Sequence, residues 1–315
     1  MSGIDPIVLF FLLGLVAGLG RSDLRLPGSI YEFLSVILLL AIGLKGGAEL
    51  AKQSLGDLLP QMLAVILMGL LLPLVAYPLL RRLGRLRRAD AASIAAHYGS
   101  VSVGTYAVAV AWLVAREIPY EEYMPLMLVL LEMPAIVVGI LLARGVSADT
   151  KWKELGHEVF LGKSIVLLVG GLLIGWVAGP EALEPVGGLF FGLFHGVLAL
   201  FLLEMGLVAA GQVGSLRRHG LFLVAFGILF PLFGALVGGG LGLLLGFSTG
   251  GMMLLAVLAA SASYIAVPAA MRLALPEANP TLSLTASLGV TFPFNILVGI
   301  PLYYGLAEQL RQLGG

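Results

Sequence analysis

Apolar runs of bilayer-spanning length follow one another along nearly the whole chain, and they decide what it can fold into. Ten stand out, near residues 6–20, 29–46, 57–81, 90–115, 123–144, 161–179, 187–211, 218–246, 250–274 and 282–307. About 20 apolar residues carry a helix across the hydrocarbon core. No water is present there to satisfy a peptide group, so each run must close its hydrogen bonds within itself. The balance of residues points the same way: 59% are hydrophobic and 11% charged, against about 25% charged in a soluble domain. The expected fold is an all-α integral membrane protein of ten transmembrane helices.

The basic residues give the expected orientation. One set of connections holds Arg21 and Arg25, the cluster Arg81, Arg82, Arg85, Arg87 and Arg88, then Arg144, Lys151, Lys153 and Lys163, then Arg217, Arg218 and Arg272, 14 in all. The other set holds the remaining 4, Lys45, Lys52, Arg116 and Arg311. This alternation places both termini outside an inner or plasma membrane and the connection 146–160 in the cytoplasm. The chain starts without the basic stretch of a cleaved signal peptide, so the first apolar run is expected to be kept as a span. The Arg81–Arg88 cluster reads first as a cytoplasmic anchor; docking of an anionic lipid or cytoplasmic protein is the alternative.

Several function classes fall away on composition. Acidic and basic residues balance at 18 each, leaving no basic field for nucleic acid. The absence of cysteine removes disulfides, thiolate metal sites and thiol catalysis. No His/Asp/Glu group has zinc-ligand spacing and no glycine loop resembles a phosphate cradle, so an enzyme is not expected.

Two apolar runs are interrupted by the same polar pattern. His97-Tyr-Gly-Ser-Val-Ser-Val-Gly-Thr105 and Ala260-Ser-Ala-Ser-Tyr-Ile-Ala-Val-Pro268 each carry a Ser-x-Ser pair deep in a span. Broken backbone at membrane depth is tolerated only inside protein or beside a cavity, and transporters use the resulting helix ends to hold substrate. The two pairs also belong to a repeat offset by about 161–163 residues: Ile42-Gly-Leu-Lys-Gly-Gly47 matches Met205-Gly-Leu-Val-Ala-Ala210, and Ser100-Val-Ser102 matches Ser261-Ala-Ser263. Glu132-Met-Pro134 similarly matches Thr291-Phe-Pro293. With five spans in each half, 1–145 and 161–315, the second half must enter the membrane inverted. Half-helices starting at the serines then face each other near the midplane. Their N–H groups and partial positive charge, with the hydroxyls of Ser100, Ser102, Ser261 and Ser263 and support from Thr105, suit a small oxyanion. The alternative is that small residues merely let helices pack closely.

Polar groups buried in a membrane are costly, which marks further candidates. Glu132, Thr291 and Asn295 lie on the repeat-related fifth and tenth spans and are expected to ligate a cation such as sodium or to support its ligands. For Glu132 a structural hydrogen bond onto the broken helix is the alternative. Glu204 either braces its neighbours or holds a proton. Lys45, placed in a glycine-rich turn at the outer end of its span, either snorkels to the interface or lines an electropositive funnel. His97 reads as a packing residue, with proton sensing as the alternative.

Ala41-Ile-Gly-Leu-Lys-Gly-Gly47, Tyr98-Gly-Ser-Val-Ser102 and above all Ser263-Tyr-Ile-Ala-Val-Pro-Ala-Ala270 resemble the sodium-dependent bicarbonate transporter family of cyanobacterial type. Arg272-Leu-Ala-Leu-Pro-Glu-Ala-Asn-Pro280 and Gly289-Val-Thr-Phe-Pro-Phe-Asn295 extend the likeness, which is most specific over 261–303. The resemblance implies a ten-helix inverted-repeat symporter of bicarbonate and sodium. It further implies a homotrimer, held in check from the cytoplasm by a PII-like regulatory protein. A transporter of another small anion, a sodium/proton exchanger using Glu132 or Glu204, and a membrane receptor or scaffold are the competing expectations.

Overall fold

The computed structural model describes residues 5–145, 156–157 and 160–314, the side chains of 215–219 excepted. Most of the connection 146–160, with Lys151 and Lys153, and the side chains of Arg217 and Arg218 lie outside the described residues. Every regular element among the described residues is a helix. In chain order they are α1 (Pro6–Leu19), α2 (Gly28–Leu50), α3 (Leu55–Arg82), α4 (Arg88–Gly99) and α5 (Val103–Val114), followed by α6 (Met124–Glu132) and α7 (Pro134–Arg144). After the connection come α8 (Lys163–Gly187), α9 (Phe194–His219), α10 (Leu221–Leu244), α11 (Thr249–Ala259) and α12 (Ala266–Ala274). The last is α13 (Pro280–Gly314).

Six helical stretches are long and apolar enough to cross a membrane: α2, α3, α6 with α7, α8 running on into α9, α10 and α13. The stretch Lys163–Gly214 has 52 residues, far more than the ~20 one crossing needs. It is broken where Gly179 takes φ +72° ahead of Pro180, a backbone that glycine alone adopts without strain. Of the remaining helices, α1 has 14 residues, and α4 and α5, like α11 and α12, are short because the two serine-bearing breaks separate them.

Small residues let the long helices approach closely. On α2, Gly43 and Gly47 press on Leu168 and Leu172 of α8, while Gly171 and Gly175 of α8 press back on Gly43 and Leu44. A Cβ at Gly47 would collide with the Leu172 carbonyl oxygen. The same device joins α1 to α9, where Gly14 meets the Leu203 carbonyl and Gly206 the Phe11 carbonyl. Contacts of this kind hold membrane helices together by van der Waals packing, since lipid offers no hydrophobic drive. They also correct one expectation. Lys45-Gly46-Gly47 is helical rather than a turn, and α2 runs on to Leu50. The glycines there serve close approach, not chain reversal.

Proline shapes the final helix. Pro293 lacks the N–H that would continue the α ladder, and α13 widens into π turns at Ser287–Thr291 and Asn295–Gly299. Such turns rotate side chains out of ordinary helical register and recur at functional sites. Here they carry Thr291 and Asn295.

Candidate functional site

The first break spans only Ser100 to Ser102. Gly99 ends α4 and packs so closely on Pro73 and Ala135 that a side chain there would clash with both. Ser102 then opens α5 as its N-cap: its Oγ accepts from the Thr105 N–H at 3.1 Å and from Thr105 Oγ1 at 2.8 Å. Both residues are buried. A Ser cap suits this position because the first N–H groups of a helix have no intrahelical acceptor. Ser100 turns the other way, donating through Oγ to the Glu132 carbonyl oxygen at 3.2 Å and to Glu132 Oε2 at 3.4 Å.

The second break is longer, from Ala260 to Ile265. Ser261 Oγ donates back to the Leu258 carbonyl at 2.9 Å. Ser263 Oγ accepts from the Val267 N–H at 3.3 Å, so it caps α12 from two residues before Ile265, the N-cap position. The expectation that both half-helices start at a serine therefore holds for Ser102, while α12 starts three residues beyond Ser263.

The two breaks grip each other. Ser102 N–H donates to Ser261 Oγ at 3.0 Å, and Ser263 N–H donates to the His97 carbonyl at 2.8 Å. Residues about 160 positions apart thus form one crossing of broken backbone, and Ser100, Ser102, Thr105, Ser261 and Ser263 are gathered around it. Beside the crossing is a cavity of about 10 Å3 lined by Val103 and Gly104 at the start of α5, Ile265 at the start of α12, Ser35 and Leu38 of α2, and Phe201 of α9. The N–H groups of Val103 and Gly104 precede the first intrahelical bond of α5, made by the Tyr106 N–H to the Ser102 carbonyl. They give this cavity the partial positive character of a helix N-terminus.

The cation candidates brace the crossing. Glu132 is buried at 2% exposure beside Ser100. Asn295 Nδ2 donates to the Ala260 carbonyl at 2.9 Å, while its Oδ1 accepts from the Tyr303 hydroxyl at 2.7 Å. Thr291 Oγ1 donates to the Gly227 carbonyl at 2.7 Å and pairs with the Tyr98 hydroxyl at 2.7 Å. Glu132 thus holds the first break, and Asn295 holds the second from the equivalent side. Thr291 instead ties α4 and α10 to α13. Glu204, on α9, keeps Oε2 buried without a protein partner.

A larger cavity of about 430 Å3 opens nearby, lined on α2 by Ala41, Ile42 and Lys45, on α5 by Tyr106 and Val110, and by Glu122. Lys45 Nζ pairs with Glu122 Oε1 at 3.3 Å and reaches the Tyr120 hydroxyl at 3.4 Å. Burial pushes the Tyr120 phenol above its ordinary value, with the Lys45 ammonium pulling it down.

Sequence reasoning passed over Tyr264. Its buried hydroxyl has no hydrogen-bond partner and stands against Gly104, where a Cβ would collide with it. It is a donor aimed at the start of α5. The signal was adjacency: Tyr264 directly follows Ser263 in the second break.

A family model described as Na+-dependent bicarbonate transporter superfamily matches residues 6–308 of the chain. No curated protein matches.

Proposed function

The chain belongs to the Na+-dependent bicarbonate transporter superfamily, and from that membership we propose that it imports bicarbonate together with sodium by alternating access. Membership makes it a sodium-dependent transporter and not an enzyme. The observation that carries the finer reading is the crossing of the two breaks, where Ser102 N–H and Ser263 N–H are exchanged between halves of the chain. The hydroxyls of Ser102 and Ser263, with the N–H groups that open α5 and α12, bind the anion, while Ser100, Ser261 and Thr105, whose hydroxyl protons go to Glu132, Leu258 and Ser102, hold that set in place. A trigonal monoanion suits this set, because hydroxyls and helix ends balance one charge without an arginine.

Glu132 and Asn295, with Thr291 behind them, hold sodium beside the anion. Each ion then strengthens the binding of the other by the same factor. The cavity at the crossing measures about 10 Å3, near the 10–15 Å3 that a single water requires. An anion enters only when the residues lining this cavity move apart. The 430 Å3 cavity supports a route, since Ile42 and Tyr106 in its lining lie about one helical turn from Leu38 and Val103 in that of the smaller one.

The proposed architecture is ten crossings in two inverted repeats, both termini outside the inner membrane. Its support is that α1 packs along α9 as α8 packs along α2, each pair joining the two halves through glycines. A homotrimer and a PII-like cytoplasmic regulator complete the proposal on the family resemblance. The natural sequence has no cysteine, so single cysteines placed in successive connections report sidedness directly. The deciding test is radiolabelled bicarbonate uptake into proteoliposomes with and without an inward sodium gradient. Sodium-driven accumulation is expected; uptake indifferent to sodium would sink the symport reading.

A further inference from the structure

Close approach of main chains sorts the helices into two groups. In one, Gly47 of α2 lies against the Leu172 carbonyl of α8, and Gly14 of α1 against the Leu203 carbonyl of α9. In the other, Gly234 and Gly238 of α10 lie against the Ala259 and Leu255 carbonyls of α11, and Gly139 of α7 against the Ala92 carbonyl of α4. Where the groups meet, glycines face side chains instead. Gly46 of α2 meets Pro125 of α6, Gly104 of α5 meets the Phe201 ring of α9, and Gly289 of α13 meets Gln212 of α9. Side chains re-pack by changing rotamer and a main chain does not, so this seam is where the two groups can shift.

Among the described residues, side-chain hydrogen bonds and ion pairs cross the seam at two places. At one, Lys45 Nζ of α2 stands 3.3 Å from Glu122 Oε1 and 3.4 Å from the Tyr120 hydroxyl, both in the connection between α5 and α6. Glu49, one turn further along α2, is held by Lys52 at 2.7 Å and does not compete. At the other, Thr285 Oγ1 of α13 donates to Gln212 Oε1 of α9 at 3.2 Å. The links fall on opposite sides of the crossing. Lys45 lies about two turns beyond Leu38 on α2, and Gln212 about three turns beyond Phe201 on α9, where Leu38 and Phe201 both line the small cavity. In the orientation proposed above α2 runs outward and α9 inward, which puts Lys45 on the outer side and Gln212 on the cytoplasmic side. The repeat relates the two: Lys45 and Tyr120 are 75 positions apart, Gln212 and Thr285 73.

We propose that these links are the two latches of alternating access. Lys45 with Glu122 and Tyr120 holds the outer side shut, Gln212 with Thr285 holds the cytoplasmic side, and one opens while the other stays closed. Both are closed in the structure, in keeping with a cavity of about 10 Å3 at the crossing. Their chemistry is unequal. The outer latch is an ion pair of partly exposed side chains, which salt screens. The inner latch is neutral and its Thr285 is wholly buried, so salt leaves it alone. Raised ionic strength therefore biases the protein toward the outward-open form. The assignment rests on the alternating-access reading given above.

The test places one cysteine at Val110, in the lining of the larger cavity beside the outer latch, in the otherwise cysteine-free chain. Its labelling by a membrane-impermeant maleimide is timed from the outer face of sealed proteoliposomes, without bicarbonate. Lys45→Glu sets two carboxylates together and should raise the rate about fivefold, the scale of an exposed ion pair. Adding Glu122→Lys restores opposite charges and should return the rate to within about twofold. Thr285→Val keeps the shape and loses the donor; by loosening the inner latch it should slow outer labelling about threefold. Choline chloride should speed labelling of the Val110→Cys protein and not of its Glu122→Gln variant, which tests the outer latch again without a charge reversal that could cost the fold. A charge exchange no slower than Lys45→Glu alone, a rate indifferent to Thr285→Val, or an equal response to salt with and without Glu122 overturns the latches. Uptake of radiolabelled bicarbonate by the natural protein is measured alongside. Labelling needs no transport, so absent uptake with reciprocal labelling removes the bicarbonate reading and keeps the latches, whereas normal uptake with unresponsive labelling removes the latches only.

Discussion

The two breaks carry the same Ser-x-Ser pattern and use it differently. In the first, three residues separate the helices and Ser102 is a tight cap, accepting two hydrogen bonds from Thr105. In the second, six residues separate them, and Ser263 caps α12 with one bond of 3.3 Å. Ser261 is spent on fastening, donating to Leu258 and accepting from Ser102 N–H. The first break is a rigid edge and the second a longer span bent around it. A shared motif therefore marks a shared place in the fold without fixing a shared role.

The comparison is most severely tested at Gly104, where the edges meet. Gly104→Ala drives a Cβ into the Tyr264 hydroxyl and against Phe201. Uptake should fall at least about a hundredfold, since displaced site geometry of this order is that costly. The double variant with Tyr264→Phe removes one of the two colliding groups and should recover melting temperature. Failure of the second change to relieve the first would show that Tyr264 does not press on α5.

Asn295 and Glu132 come next, because they brace the two breaks from equivalent sides. Asn295→Ala removes two buried hydrogen bonds and should cost about 2–3 kcal/mol, read as a lowered melting temperature. Glu132→Gln keeps the shape beside Ser100 and should leave melting nearly unchanged. Its sodium half-saturation should rise about tenfold, or ~1.4 kcal/mol, if the carboxylate holds sodium. A large melting loss with unaltered sodium dependence would make Glu132 a brace of the same kind as Asn295.

The smallest effects separate the serines. Ser102→Ala should destabilise by about 1 kcal/mol through its lost cap. Ser263→Ala should cost less than half of that, because its single bond is long. Both should weaken bicarbonate uptake. Equal melting losses would erase the distinction between a capped and a loosely held break.

Much of this was legible in the residues. Runs of apolar side chains marked the helices, since helix is the form in which a single lipid-embedded segment satisfies its own peptide groups. The Ser, Gly and Pro interruptions marked both breaks to within a few residues. The paired repeat also pointed to Glu132 and to α13, but it matched Glu132 with Thr291. In the structure the residue that holds the second break is Asn295, one turn later. The π turns around Pro293 set which face of α13 meets Ala260, and a repeat comparison does not register that rotation.

The sequence by itself determined what is local: where backbone must be helical, where it may break, and which hydroxyls sit at each break. Those follow from hydropathy and from the chemistry of neighbouring residues. Only the tertiary structure decided what meets across the chain. Ser102 finds Ser261, Ser263 finds the His97 carbonyl, and Tyr264 stands over Gly104. Each of these pairings joins residues about 160 or more positions apart, and nothing in local propensity selects them. They are fixed by how closely the glycine-bearing helices pack, and so by the fold as a whole.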